Sequence, residues 1–265
     1  MKQILPTCTL VVTTYNWPEA LNLSLRSVFK QSRMPDEIIV ADDGSRDETA
    51  MLIKQLSDEF NFPIKHCWQE DLGFRLARSR NNAIIASSCD YIVFIDGDII
   101  IHKDFIKDHV QFSQSGTFVN GSRVILSSEL SKKLLSGELK RVGYRFITEK
   151  NNINGLRIPF MHKIVKGPQY TIQRIKGCNM AFWKSDLVAV NGFDESFVGW
   201  GREDSDMAIR LMNKGVIRKN LKFCAIEYHI YHKEQPQDLL LKNDAILQEV
   251  IKHKLIRAKV GINEH

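Results

Sequence analysis

Short apolar runs alternate with helical patterns through the first hundred residues. Residues 9–13 (TLVVT) form a β-branched run with the length and continuity of a strand buried on both faces. Residues 20–30 follow, with Leu21, Leu25, Val28 and Phe29 at helical spacing. Residues 37–41 (EIIVA) predict a second strand. Residues 48–60 predict a second helix with Leu52, Ile53 and Leu56 on one face, and residues 64–68 a third strand. Residues 75–86 read as a helix and 91–95 (YIVFI) as the next buried strand. Strand and helix alternating at these spacings predict an α/β fold, a mostly parallel sheet flanked by helices. Ligands of such sheets bind at the carboxyl ends of the strands. Three polar clusters fall there: Thr14–Asn16, Asp42–Ser45 and Asp96–Asp98.

Between residues 141 and 176 the periodicity fades into a stretch rich in Lys, Arg, Asn and Gly, read as a long loop with irregular strands. Loops of that length are usually functional or disordered. A compact region, 177–215, follows. It contains MAIRLMNKG, a helix with Ala208, Leu211 and Met212 on one face and Gly215 as its stop. A last strand is expected over 223–228 and a basic amphipathic helix from 237 to about 260.

Composition changes little in this picture: 43% hydrophobic and 26% charged residues are ordinary for a globular chain. The five cysteines are dispersed and odd in number, with no CxxC pair, which fits a reducing compartment better than a disulfide framework or zinc site. No leader-like or membrane-spanning segment is evident, so a cytoplasmic location is expected. The net charge of +6 is unevenly spread. Lys140, Arg141, Arg145, Lys150, Arg157, Lys163, Lys166, Arg174 and Lys176 crowd the middle loop. Lys242, Lys252, Lys254, Arg257 and Lys259 stud the last helix beside Leu247, Val250, Ile251, Leu255 and Ile256. The bland reading is a solvated loop and a helix packed on the body. The sharper one is peripheral attraction to an anionic membrane at the inner face of the cell. Nucleic acid is not expected as a partner, since no recognised binding motif accompanies the charge.

Candidate chemistry lies at the strand ends. Asp96-Gly97-Asp98 offers two carboxylates, one residue apart, to a single hard cation such as magnesium or manganese, or else makes a simple turn. In the second cluster, a carboxylate could accept bonds from a uracil N–H or a ribose hydroxyl. In the first, Tyr15 offers a stacking face beside Thr14 and Asn16. Trp200-Gly201-Arg202-Glu203-Asp204-Ser205-Asp206 places three acids in four positions at a helix start, where one would serve the helix dipole. Trp200 between glycines suits sugar stacking, and a carboxylate beside an acceptor hydroxyl is what a general base requires. Catalysis and capping both account for that cluster. His229 and His232, three apart in YHIYH, are alternative further metal ligands.

Together these segments resemble glycosyltransferase family 2, of the GT-A fold. TTYN, ADDGS, LGFRLARSRNNAI and FIDGD occur in the expected order. The string GCNMAFWKSDLVAVNGFDESFVGWGREDSDMAIRLMNKG, then YHIYH, resembles the C-terminal region of β-1,4-galactosyltransferases and bacterial chondroitin polymerases. The resemblance covers residues 10–232. It implies a Rossmann-like nucleotide-sugar-binding half (1–100) and an acceptor-binding and catalytic half of the same domain (101–236), while the 141–176 loop and the C-terminal basic amphipathic helix (237–265) lie outside it. It also implies a UDP-sugar donor, with Asp42 at the uridine, Arg80 near the diphosphate, Gly177 and Asn179 lining the donor pocket, and Thr14, Tyr15 and Asn16 nearby. Asp96 would touch ribose or metal, and Asp98 would hold Mn2+ or Mg2+ with His232 or His229. Asp204 would be the catalytic base, Glu203 would orient hydroxyls, and Trp200 and Arg202 would serve the acceptor.

The implied reaction is a single inverting displacement that moves a hexose or N-acetylhexosamine to a glycan or lipid-linked acceptor in bacterial surface polysaccharide or lipopolysaccharide synthesis. With one transferase module, the chain is expected to add one kind of sugar. Two other readings compete. A nucleotidyltransferase would need a glycine-rich, basic phosphate loop after the first strand, which TTYNWPEA lacks. A non-catalytic glycan-binding module is at odds with intact DGD and ED motifs.

Overall fold

The computed structural model describes residues 5–143, 152–163, 169–173, 175–233 and 237–264. In chain order, β1 (Cys8–Thr14), α1 (Pro18–Val28), β2 (Glu37–Asp42), α2 (Asp47–Phe60), β3 (Ile64–Trp68), α3 (Leu76–Ala86) and β4 (Tyr91–Asp96) build the first half. Then come β5 (Ile99–Ile101), α4 (Phe105–Gln111), β6 (Thr117–Gly121), β7 (Arg123–Ile125) and α5 (Ser128–Leu135). The last group is β8 (Met180–Trp183), α6 (Lys184–Ala189), α7 (Glu203–Asn213), β9 (Ile217–Leu221), β10 (Glu227–His229) and α8 (Leu240–His253).

Seven strands form one sheet in the order β3-β2-β1-β4-β8-β6-β9, in which β8 alone runs antiparallel to its neighbours. A smaller sheet has the order β5-β10-β7. β1 and β2 are buried along their whole length, as continuous apolar runs covered on both faces should be. Their side chains alternate between two cores. Leu10, Val12, Ile38 and Val40 meet Leu21 and Leu25 of α1 and Ile53 and Leu56 of α2. Val11, Ile39 and Ala41 meet Ala77, Ala83 and Ile84 of α3 and Met207, Ala208 and Leu211 of α7.

The chain leaves β1 toward β2 and β3, then crosses back to place β4 on the other side of β1. That reversal opens a crevice at the carboxyl ends of β1 and β4, the position where α/β sheets bind ligands. Register sets the residues there: Thr14 pairs with Asp42, and Thr13 with Asp96.

The second half departs from the sequence expectations in four places. The last helix stops at His253, because Lys254 takes a left-handed conformation (φ 49°) and the Leu255 N–H closes onto the Val250 carbonyl. The chain then turns back over α6, where the Ala258 N–H bonds the Val190 carbonyl. The strand expected over 223–228 starts only at Glu227, since Phe223 and Ala225 have positive φ. β9 was not predicted: its sequence IRKNL hides a strand, and the buried Arg218 spends its guanidinium on the Thr171 and Gln173 carbonyls and Asn120. Between 141 and 176 the described residues form 3-10 turns at Asn152–Gly155 and Pro159–Lys163 and no strand. Arg145, Lys150, Lys166 and Arg174 lie outside the described residues.

Candidate active site

β4 ends in Asp96, and Gly97 turns the chain toward β5. A Cβ at Gly97 would come within 2.8 Å of the Thr13 carbonyl, so the turn hugs β1 only because glycine stands there. β10 pairs antiparallel with β5, setting His229 opposite Ile99, and the Ile230 N–H bonds the Asp98 carbonyl. This pairing brings His229 Nε2 to 3.3 Å and His232 Nε2 to 3.1 Å from Asp98 Oδ2. Both histidines therefore gather on Asp98, so the two alternatives become one cluster. Trp17 packs edge-on against the His232 ring at 5.9 Å.

The cluster fits a divalent cation. Asp98, His229 and His232 each offer one ligand atom, all within 4.8 Å of one another, and Asp98 Oδ1 and His229 Nδ1 are buried without a hydrogen-bond partner. One carboxylate with two imidazoles suits a first-row transition ion such as Mn2+ better than Mg2+, which favours oxygen. Burial lowers the His229 pKa, while the hydrogen bond to Asp98 raises that of His232. Asp96 stands outside this group. Its Oδ1 accepts the Thr13 hydroxyl at 2.9 Å and Arg80 Nη2 at 3.4 Å.

Arg80 links the two halves of the site. Its side chain, 2% exposed, reaches Asp96 with one terminal nitrogen and Glu203 with the other (3.2 Å), and its guanidinium lies over the Phe193 ring. Gly177 covers it: a Cβ there would lie 2.7 Å from Arg80 Nη2. Glu203 and Asp204 open α7 behind Arg202, which has φ 82°. Asp204 accepts the Gly177 N–H at 2.9 Å through Oδ2 and the Ser205 N–H through Oδ1. Burial, reinforced by the Asp204 charge, raises the Glu203 pKa to about 7, and burial raises that of Asp204. The third acid, Asp206, is structural: it is fully buried in an ion pair with Arg210 one turn on.

The other predicted residues divide. Tyr15 and Trp200 are open aromatic faces, 50% and 40% exposed, although the Tyr15 hydroxyl is held by Asp71. Thr14 lies buried at the strand end, and Asn16, with φ 47°, bonds across to Ser45 and Arg46. Asp42 is fully buried, its oxygens taken by the Ser45 N–H and by His66 Nε2. Asn179 turns inward, its carboxamide shared among His109 and the Ser122 and Ala225 carbonyls. Arg202 pairs with Asp244 of α8. Four residues that pattern reading passed over also border the site: Trp17, Trp68 with its exposed ring, Arg123 and Glu227. Trp17 directly follows TTYN and could have been flagged. Arg123 and Glu227 carry no local signal, because they reach the site through β7–β10 pairing.

Comparison with known proteins decides the family. Residues 9–172 match Glycosyl transferase family 2. The chain belongs to that family. Residues 159–233, which contain Glu203, Asp204, His229 and His232, also match the N-terminal domain of galactosyltransferase. A chondroitin synthase of Escherichia coli is 26% identical over 256 residues, covering 86% of this chain and 35% of that protein. A validoxylamine A glucosyltransferase of Streptomyces hygroscopicus is 27% identical over 227 residues, covering 80% of this chain and 49% of that protein. The chain thus spans about a third to a half of the length of these curated relatives. Among solved structures, Staphylococcus aureus TarS 1-349 superposes with TM-score 0.63 at 16% identity, covering 97% of this chain and 68% of that one. The mannosyltransferase PcManGT of Pyrobaculum calidifontis, in complex with GDP-Man and Mn2+, gives 0.62 at 17% identity, covering 92% and 70%. These neighbours share the GT-A fold with the chain, a glycosyltransferase of family 2.

Proposed function

We propose that the protein transfers a hexose or N-acetylhexosamine from a UDP-sugar to a glycan hydroxyl, with inversion, in bacterial surface polysaccharide or lipopolysaccharide synthesis. The observation that carries this reading is the coincidence of two groups at one end of the sheet: the Asp98–His229–His232 cluster, and the acidic pair Glu203–Asp204, whose buried Glu203 is joined through Arg80 to Asp96. The TarS complex with UDP and the PcManGT complex with GDP-Man support a nucleotide-linked donor.

In this reading residues 1–100 hold the donor and residues 101–236 supply the acceptor side. Asp98, His229 and His232 hold a divalent cation, Mn2+ in preference to Mg2+, which would offset charge on the departing diphosphate as a Lewis acid. Asp204, oriented by the Gly177 N–H, takes the proton from the acceptor hydroxyl. Its raised pKa brings it closer to the range where a base works best near neutral pH. Arg80 and Glu203 keep the wall behind it dry and fixed, and Trp200 offers the acceptor sugar an apolar face.

A screen of UDP- and GDP-sugars with Mn2+, read as nucleoside diphosphate release and product anomeric configuration, tests this. Asp204→Asn should lower kcat by about 10²–10⁴. Full activity in that variant would remove Asp204 as the base, and a retained anomeric configuration would remove the inverting displacement.

The protein is further proposed to work at the inner face of the cell membrane. Residues 251–257 (IKHKLIR) are exposed throughout, mixing Ile251, Leu255 and Ile256 with Lys252, Lys254 and Arg257. Such a surface suits anionic lipid that presents a lipid-linked acceptor. Equal sedimentation with neutral and anionic vesicles would count against it. Among the described residues no helix is long and apolar enough to cross a membrane.

A further inference from the structure

Two arginines border the crevice, and the structure treats them differently. Arg80 has both terminal nitrogens committed to carboxylates, and its side chain is 2% exposed. It is a neutralised strut. Arg123 opens β7 and pairs with Glu227 of β10, while Ile125 pairs with His229. Side chains two apart on a strand share a face. Arg123, Glu227 and His229 therefore line one face of the small sheet, and Val124 and Tyr228 pack on the other with Leu126, Leu134 and Ile226. The Arg123 guanidinium thus stands on the same wall as the histidine that meets Asp98.

No described carboxylate is ion-paired with Arg123; Glu227 and Asp96 favour its charge only from beyond contact distance. Its Nη1 meets Cys178 Sγ at 3.7 Å, and its Nε is buried with no partner. Cys178 follows Gly177, whose N–H holds Asp204, so Arg123 touches the segment that reaches the acidic pair while sharing a sheet face with His229. A partly buried guanidinium loses water and needs an anion to repay that loss. Its planar fork matches phosphate oxygens in a bidentate way.

We propose that Arg123 is the cation that meets the diphosphate of the nucleotide-sugar. This rests on the glycosyl-transfer reading above, and assigns to Arg123 the contact that the sequence resemblance gave to Arg80.

The test compares Arg123→Met and Arg123→Lys with wild type for binding of UDP, GDP and uridine. Binding is measured by calorimetry and ligand-detected NMR, with and without Mn2+. Loss of a charge-assisted contact should weaken binding of the diphosphate by about 10- to 150-fold in Arg123→Met. Uridine binding should stay within about twofold, because it lacks the phosphates that Arg123 reads. Arg123→Lys, which keeps the charge without the fork, should fall between. Unchanged diphosphate affinity in Arg123→Met would overturn the proposal and leave the reading of the reaction standing, as would an equal loss for uridine. A wild-type protein that binds neither UDP nor GDP would overturn that reading, and this inference with it.

Discussion

Replacing Arg80 by methionine isolates the role of the buried cation that joins the two halves of the site. Arg80 is 1% exposed and lies between Asp96 and Glu203, so its loss leaves carboxylates facing each other with no counter-charge. Breaking a buried ion pair from one side costs about 3–5 kcal/mol. For a chain of this size that corresponds to a fall in Tm of about 6–20 °C. The charge origin of the loss has a pH signature. Glu203 has its folded pKa raised to about 7 by burial and by Asp204, against the pull of Arg80. A carboxyl whose folded pKa lies above its unfolded value of about 4.3 stabilises the fold most below that value. The stability declines as pH rises toward the folded pKa. Without Arg80 the folded pKa rises further, so the decline extends to higher pH. Denaturant unfolding at pH 5 and pH 8, at fixed ionic strength, should therefore show the gap between wild type and Arg80→Met widening with pH. An equal gap at both pH values would refute this, and would assign the loss to packing over Phe193.

Asp98→Asn should weaken Mn2+ binding by more than the roughly 10–100-fold typical of outer-shell changes, and titration by electron paramagnetic resonance would show it. Unchanged affinity would remove Asp98 from the cation site. The acidic limb of the pH dependence of kcat should lie above the ordinary carboxylate range, because burial raises both Glu203 and Asp204 and the base must be ionised. A limb near pH 4 would contradict that. Gly121→Ala would put a Cβ 2.2 Å from the Asn179 carboxamide, whose bonds tie His109 to the Ser122 and Ala225 carbonyls. Overpacking of that kind costs about 1–3 kcal/mol, visible as a lower melting temperature. A variant that melts like wild type would show that Asn179 gives way freely.

The parallel half of the sheet was legible because its information is local. Apolar runs such as YIVFI and EIIVA, and helices with leucines at three- and four-residue spacing, write the elements into neighbouring positions. The alignment of Asp42, Thr14 and Asp96 follows from strands that end in polar residues at equal depth. The three acids before MAIRLMNKG were visible as a cluster, but their division into Glu203 and Asp204 at the site and Asp206 in a structural pair was not.

That division, like the rest of the site, belongs to the tertiary structure. Sequence left His229 and His232 as alternatives. The pairing of β10 with β5 brings both to Asp98, and no local pattern encodes that register. Arg80 reads as a helix residue near a phosphate, yet its partners include Glu203, 123 positions away. The turn at Lys254 and the strand IRKNL defied their own composition in the same way. The strand–helix alternation, the parallel half of the sheet and the residue types available for chemistry are legible in the chain alone, because periodicity and strand-end polarity are properties of adjacent positions. Which of those residues face one another was decided only when distant strands paired, because burial and hydrogen-bond register act between segments that the chain keeps far apart.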